Sequence, residues 1–132
     1  MEAIRAPLRA AGRLALATMF ISGGADALFD PGPRTAKAAD LGVPLDPEVA
    51  VRANGAAMLA AGTTLALGIL PRLSAAVLAG TLVPTTLAGH PYWRFQDPSA
   101  RRQQRIHFYK NVGLFGGALL ELSERPRRRG RG

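Results

Sequence analysis

A chain of 132 residues holds one domain at most. It has no cysteine and two histidines, which excludes disulfides, thiolate catalysis, iron–sulfur clusters and thiolate zinc sites, and leaves no ligand set for a dedicated metal centre. The formal net charge of +8 predicts contact with an anionic surface; lipid headgroups fit better than nucleic acid, because no aromatic residues are interleaved in the arginine-rich tail.

The charges are partitioned rather than spread, and the chain reads as four apolar segments. The first, Leu8 to Phe29, has Arg5, Arg9 and Arg13 at its entrance. This basic start, its short apolar run and the "GGADA" that follows also match the outline of a secretory signal with a small-residue cleavage site. Three more apolar segments follow, however, so cleavage would not leave a soluble remainder. A connection of nineteen residues, "DPGPRTAKAADLGVPLDPE", comes next. It is rich in proline and acidic residues and has no apolar periodicity, as expected of a long functional or flexible loop.

The second segment, Ala50 to Leu70, carries no charge after Arg52. The third, Leu73 to His90, is joined to it by Pro71 and Arg72 alone and contains Pro84, which predicts a kink. The loop "PYWRFQDPSARRQQR" then supplies Tyr92, Trp93 and Phe95, residues suited to a membrane-interface belt. Trp93 is also placed to cover a polar cavity near His90. Asp97 before Pro98 reads as a turn or helix cap, followed by a short surface helix. The fourth segment is Ile106 to Leu122.

All four approach the roughly 20 residues needed to cross a bilayer. A soluble bundle would need a polar face at helical spacing. Between Ala53 and Leu70 the polar side chains are only Asn54, Thr63 and Thr64, which make no such face. Small residues recur every fourth position, at Ala53, Ala57 and Ala61, at Ala75 and Ala79, and at Gly113 and Gly117, a spacing that allows close helix approach in lipid. The fold class expected is all-α: a four-helix transmembrane bundle over residues 1–124, with a basic tail at 125–132.

Four spans put both termini on one side. Basic residues are nearly balanced across the two sides, nine against eight, so the flank of the first helix decides the orientation. Three arginines before it, against a loop that starts at Asp30, place both termini in the cytoplasm of a multi-pass cell-membrane protein.

In this topology the polar residues collect at the opposite, outer end, and the inner half of the bundle has almost none. Ser22 and Asp26 lie one turn apart on the first segment, Arg52 and Asn54 begin the second, and Thr85, Thr86 and His90 end the third. His107, Lys110 and Asn111 follow an i, i+3, i+4 pattern and share one face of the fourth. Ionisable groups in membrane segments face the bundle interior and pair. Asp26 and Lys110 are therefore expected to lie together, with Arg52 and His90 bordering the same cavity. Lys110 would be counter-ion to a carboxylate or an anchor for an anionic or carbonyl-bearing ligand. The alternatives are plain structural roles: Lys110 and Arg52 snorkelling to headgroups, and an Asp26–Lys110 bridge fixing helix register.

Four stretches, "FISGGADALFDP", "VRANGAAMLAAGTTLALGILPRLSA", "LVPTTLAGHPYW" and "QQRIHFYKN", resemble the DoxX family of small bacterial membrane proteins. The resemblance implies a four-helix membrane bundle associated with membrane-bound redox systems. One related branch contributes a subunit to a quinone-reducing thiosulfate oxidoreductase; another scaffolds a complex between a superoxide-detoxifying enzyme and a thiol-handling enzyme. For this chain it implies a membrane subunit of an oxidoreductase complex, not catalytic alone, with a quinone as cofactor and redox enzymes or further copies of the chain as partners. His90, Lys110 and Asn111 would hydrogen-bond a quinone carbonyl and Asp26 would help deliver protons. Any thiol chemistry would belong to a partner. A non-enzymatic scaffold and a small lipid-binding or transport bundle are the alternatives.

Overall fold

Proline and its neighbours set most of the element boundaries in the computed structural model, which describes residues 1–125. Helix α1 runs Glu2–Phe29 and stops at Asp30, whose position before Pro31 disfavours the helical conformation. Helix α2 is Arg34–Leu41, closed by Gly42 in the left-handed conformation. Helix α3, Pro47–Ala66, starts with a proline in its first turn, and the Asp46 carboxylate accepts hydrogen bonds from the amides of Glu48 and Val49. Helix α4, Pro71–Gly89, ends at His90 before Pro91. A 3-10 turn at Tyr92–Arg94 leads to α5, Pro98–Ser123, capped by Asp97 on the Ala100 amide.

Two elements differ from the sequence expectation. The long connection contains α2, a helix that shows no periodicity because only Ala38 is buried in it. The short surface helix after Asp97 is instead the first part of α5: nothing between Ser99 and Ile106 breaks a helix, so the two runs are continuous. Most of the expected basic tail, residues 126–132, lies outside the described residues.

Described residues form helices and no strands. Helix α1 packs along α3, α3 against α4, and α4 against α5, while α1 and α5 touch only briefly. Phe20, Leu65 and Leu78 are fully buried at the centre, joined by Met58, Ala61 and Leu82. The α1–α3 seam is a backbone contact. A Cβ added to Gly24 would sit 2.7 Å from the Leu59 amide nitrogen, and one added to Gly55 would sit 2.8 Å from the Gly24 carbonyl oxygen. Small residues do bring these helices together, but Gly24 and Gly55 make the crossing; of the alanines read from spacing, Ala61, Ala75 and Ala79 are buried and Ala53 is exposed.

One stretch among the described residues, Pro71–Arg94, is long and apolar enough to cross a membrane by length and composition. The other three segments are dilute in large apolar side chains. Alanine and glycine make up nine of the 20 residues of α3, and α1 and α5 carry arginines along their first turns.

Candidate functional site

Helices α1 and α5 are joined at the end of the bundle that holds the N-terminus. Arg13 donates from Nε (2.9 Å) and Nη2 (2.7 Å) to Glu121 Oε1, and the Leu16 side chain lies against Gly117. This pair is the least exposed ion pair among the described residues, with side chains 19% and 11% accessible. It also corrects the expectation that the inner half of the bundle is almost without polar groups. An arginine at a helix entrance reads as a flank in sequence; only the fold sets it beside a glutamate 108 residues away.

Toward the other end α1 and α5 part, and a cavity of about 460 Å³ opens between them. Met19, Gly23 and Ala27 of α1 line one wall; Leu114 and Asn111 of α5 line another. Helix α2 lines the cavity with Ala38, Leu41 and Lys37, and the Lys37 ammonium donates to the Gly89 carbonyl at 3.4 Å. That carbonyl belongs to the last turn of α4, where the helix dipole favours a cation.

Two side-chain amides stand in this apolar lining. Asn54 Nδ2 donates to Thr85 Oγ1 at 3.0 Å and approaches Met58 Sδ at 3.5 Å, while Thr85 donates in turn to the Thr81 carbonyl at 2.8 Å. Asn111, 5% exposed, donates from Nδ2 to Thr86 Oγ1 at 3.0 Å. Each amide thus spends a donor on a threonine of α4 and keeps its carbonyl oxygen as an acceptor. Among the described residues no fully buried side-chain nitrogen or oxygen lacks a partner. His90 sits where α4 ends. Its Nδ1 lies 2.8 Å from Gln104 Oε1, which makes Nδ1 the donor and leaves Nε2 as the acceptor of the neutral ring. Its face stacks on His107 with centroids 5.1 Å apart.

Asn54, His90, Lys110 and Asn111 therefore line one cavity. The other four candidates do not line it. Asp26 is exposed, and its carboxylate lies 4.0 Å from Arg34, so the expected Asp26–Lys110 pair is not formed. The helical register turns Asp26 outward, away from α5. Arg52 bonds Glu48 one turn earlier at 2.9 Å and donates to the Leu28 carbonyl, which ties α3 to the end of α1. Trp93 is 49% exposed and meets Tyr92 and Phe108 edge-on, so it joins an aromatic cluster rather than covering the cavity. His107 lies behind His90.

Sequence reasoning missed Gln104 and Lys37. Gln104 precedes His107 by three residues and so shares its helical face, a signal present but unused. Lys37 has no such signal, because α2 buries only Ala38 and so shows no apolar spacing that marks it as a helix. The cations that line the cavity are Arg34, Lys37 and Lys110; Asp26 meets Arg34 from outside it, and no carboxylate is among the described lining residues. That charge set suits an electron-rich or anionic group on a largely apolar body.

The DoxX family model matches residues 8–91, more than half the chain. This protein belongs to the DoxX family. DoxX proteins are membrane proteins, and membership supports a membrane location for this one. The matched stretch runs from Leu8 within α1 through α4, including Asn54 and His90, and ends before the cavity's contribution from α5. No curated protein and no solved structure gives a match.

Proposed function

We propose that this DoxX protein is a four-span membrane subunit of an oxidoreductase complex, with both termini cytoplasmic and a quinone-type ligand in the cavity of the outer half. Large apolar side chains support the four spans. Leu8 and Leu14 on α1, Val49 on α3, Val83 and Leu87 on α4, and Val112 and Leu120 on α5 all stand exposed. Apolar surface on every long helix is a liability in water and is at home in hydrocarbon. The start of α1 and the end of α5 lie at one end of the bundle, and the arginines there favour the cytoplasmic side.

One observation carries the ligand reading: an apolar cavity lined by Asn54, Asn111, His90, Lys37 and Lys110, with no carboxylate among its described lining residues. A quinone offers what Asn54, Asn111 and Lys110 recognise; His90, whose Nδ1–H is spent on Gln104, has no N–H left for a quinone carbonyl, contrary to the sequence expectation. The quinone ring and tail fill the apolar part, and the quinone carbonyl oxygens accept from ammonium and amide N–H groups. Lys110 is the group that would hold a quinone oxygen and stabilise negative charge there on reduction, whereas the negative end of the α4 dipole would oppose that charge. The redox partner is implied by the family resemblance, and the chain is not assigned catalysis of its own.

The test is quinone content. Protein extracted in mild detergent is assayed for bound quinone by chromatography, beside the Lys110→Ala variant. The variant is expected to lose most of its bound quinone, roughly tenfold or more for a charge-assisted hydrogen bond, with its melting temperature unchanged. Equal quinone content in the two proteins would remove the cavity from this role.

A further inference from the structure

The opposite end of the bundle carries a second, larger recess of about 1070 Å³, and nothing in the proposed redox role uses it. Arg5, Arg9 and Arg13 line it from α1, spaced every fourth residue on one helical face. Arg72, in the first turn of α4, and Arg125, just past α5, line it from the other side.

These five arginines are not equivalent. Arg13 is committed to Glu121, and Arg9 to Glu124 at 3.2 Å. Arg72 uses Nε on the Leu122 carbonyl at 2.9 Å, which leaves its terminal nitrogens open. Among the residues whose side chains are described, Arg72 and Arg125 have no carboxylate within 4.0 Å, and Arg5 is exposed where it lines the recess from α1. Among its described lining residues, five arginines against two glutamates leave a surplus of three positive charges.

The same recess is apolar on one side. Leu70 and Leu73 line it and are 66% and 60% exposed. Leu70 holds its place at a positive φ of 44°, an unfavourable conformation for a branched residue, in the tight turn between α3 and α4. The turn is braced by Ser74, which bonds Thr64 at 2.7 Å and the Ile69 carbonyl at 3.2 Å. Exposed leucines beside a surplus of guanidinium groups match an amphiphile, phosphate on one side and acyl chain on the other. No aromatic residue lines the recess to stack a base, so the set does not suit nucleic acid.

We infer that this recess is a binding site for the headgroup phosphate of an anionic phospholipid, held by Arg5, Arg72 and Arg125 with the acyl chains against Leu70 and Leu73. Guanidinium groups bind phosphate through paired N–H donors, and basic recesses between membrane helices take such headgroups. The site is independent of what the outer cavity holds.

Native mass spectrometry of the full chain in detergent tests it, with phosphatidylglycerol and phosphatidylcholine as the two probes. Phosphatidylglycerol is expected to bind on the order of 100-fold more tightly, from three arginines at the membrane surface. The triple variant Arg5→Gln, Arg72→Gln, Arg125→Gln should lose that preference. A control triple at the other end, Arg94→Gln, Arg102→Gln, Arg105→Gln, should keep it within threefold or so. Arg5→Gln alone, at an exposed position, should weaken binding several-fold and guards against misfolding of the triple. No preference between the lipids, or equal loss in the control, would overturn the site. Inorganic phosphate that displaces the lipid at equal concentration would overturn the lipid assignment, and displacement by an acidic peptide would point to a protein partner instead.

Discussion

Helix α1 has two seams, and they are built on opposite principles. Against α3 it meets backbone to backbone, with Gly24 and Gly55 leaving no space for a Cβ. Against α5 it is held at one end by the Arg13–Glu121 pair and then parts to leave a cavity of about 460 Å³. The first seam gains dispersion contact at every turn and has no room for a ligand. The second is fixed by a charged hinge and kept open by polar side chains that find partners on α4 instead of α1. A bundle of this size can be rigid and hollow at once, provided that tight packing and open space are assigned to different faces of one helix.

That contrast can be broken most severely at the glycine seam. Gly55→Leu should cost at least about 3 kcal/mol, because backbone atoms rather than a flexible side chain occupy the space its Cβ needs. Thermal unfolding in detergent should show it; an unchanged melting temperature would mean that α1 and α3 are farther apart. The hinge comes next. Arg13→Leu leaves Glu121 largely buried and unpaired, and should cost about 2–3 kcal/mol. The exchange Arg13→Glu with Glu121→Arg should recover a good part of the loss, whereas equal losses in both proteins would show that the pair does not join the helices. Asp26→Asn gives the smallest effect. Its exposed contact to Arg34 at 4.0 Å should be worth less than about 0.5 kcal/mol, and quinone content should not change. A clear drop in bound quinone would return Asp26 to the cavity.

Much of the site was legible, for a reason visible in particular residues. Asn54, His90, Lys110 and Asn111 are polar groups in otherwise apolar runs, and such groups have few places to go except the interior. The i, i+3, i+4 pattern of His107, Lys110 and Asn111 already set Lys110 and Asn111 on one face of α5. Asp26 and Arg52 look identical by that criterion and were misplaced with them. Each lies within a turn or two of a helix end, where a charge reaches Arg34 or a free carbonyl locally and need not turn inward.

Sequence alone determined four long helices, their breaks at prolines and at Asp97, the absence of thiol chemistry and the DoxX membership that residues 8–91 carry. These follow from local rules: proline removes a donor, aspartate caps a helix, and apolar runs must be buried or lie in lipid. Tertiary structure alone decided which face each helix turns to which neighbour. Rotation about a helix axis is fixed by a few contacts far apart in sequence, here Gly24 on Gly55 and Arg13 on Glu121. Those contacts settle whether a lone charge meets a cavity, a neighbour or the outside.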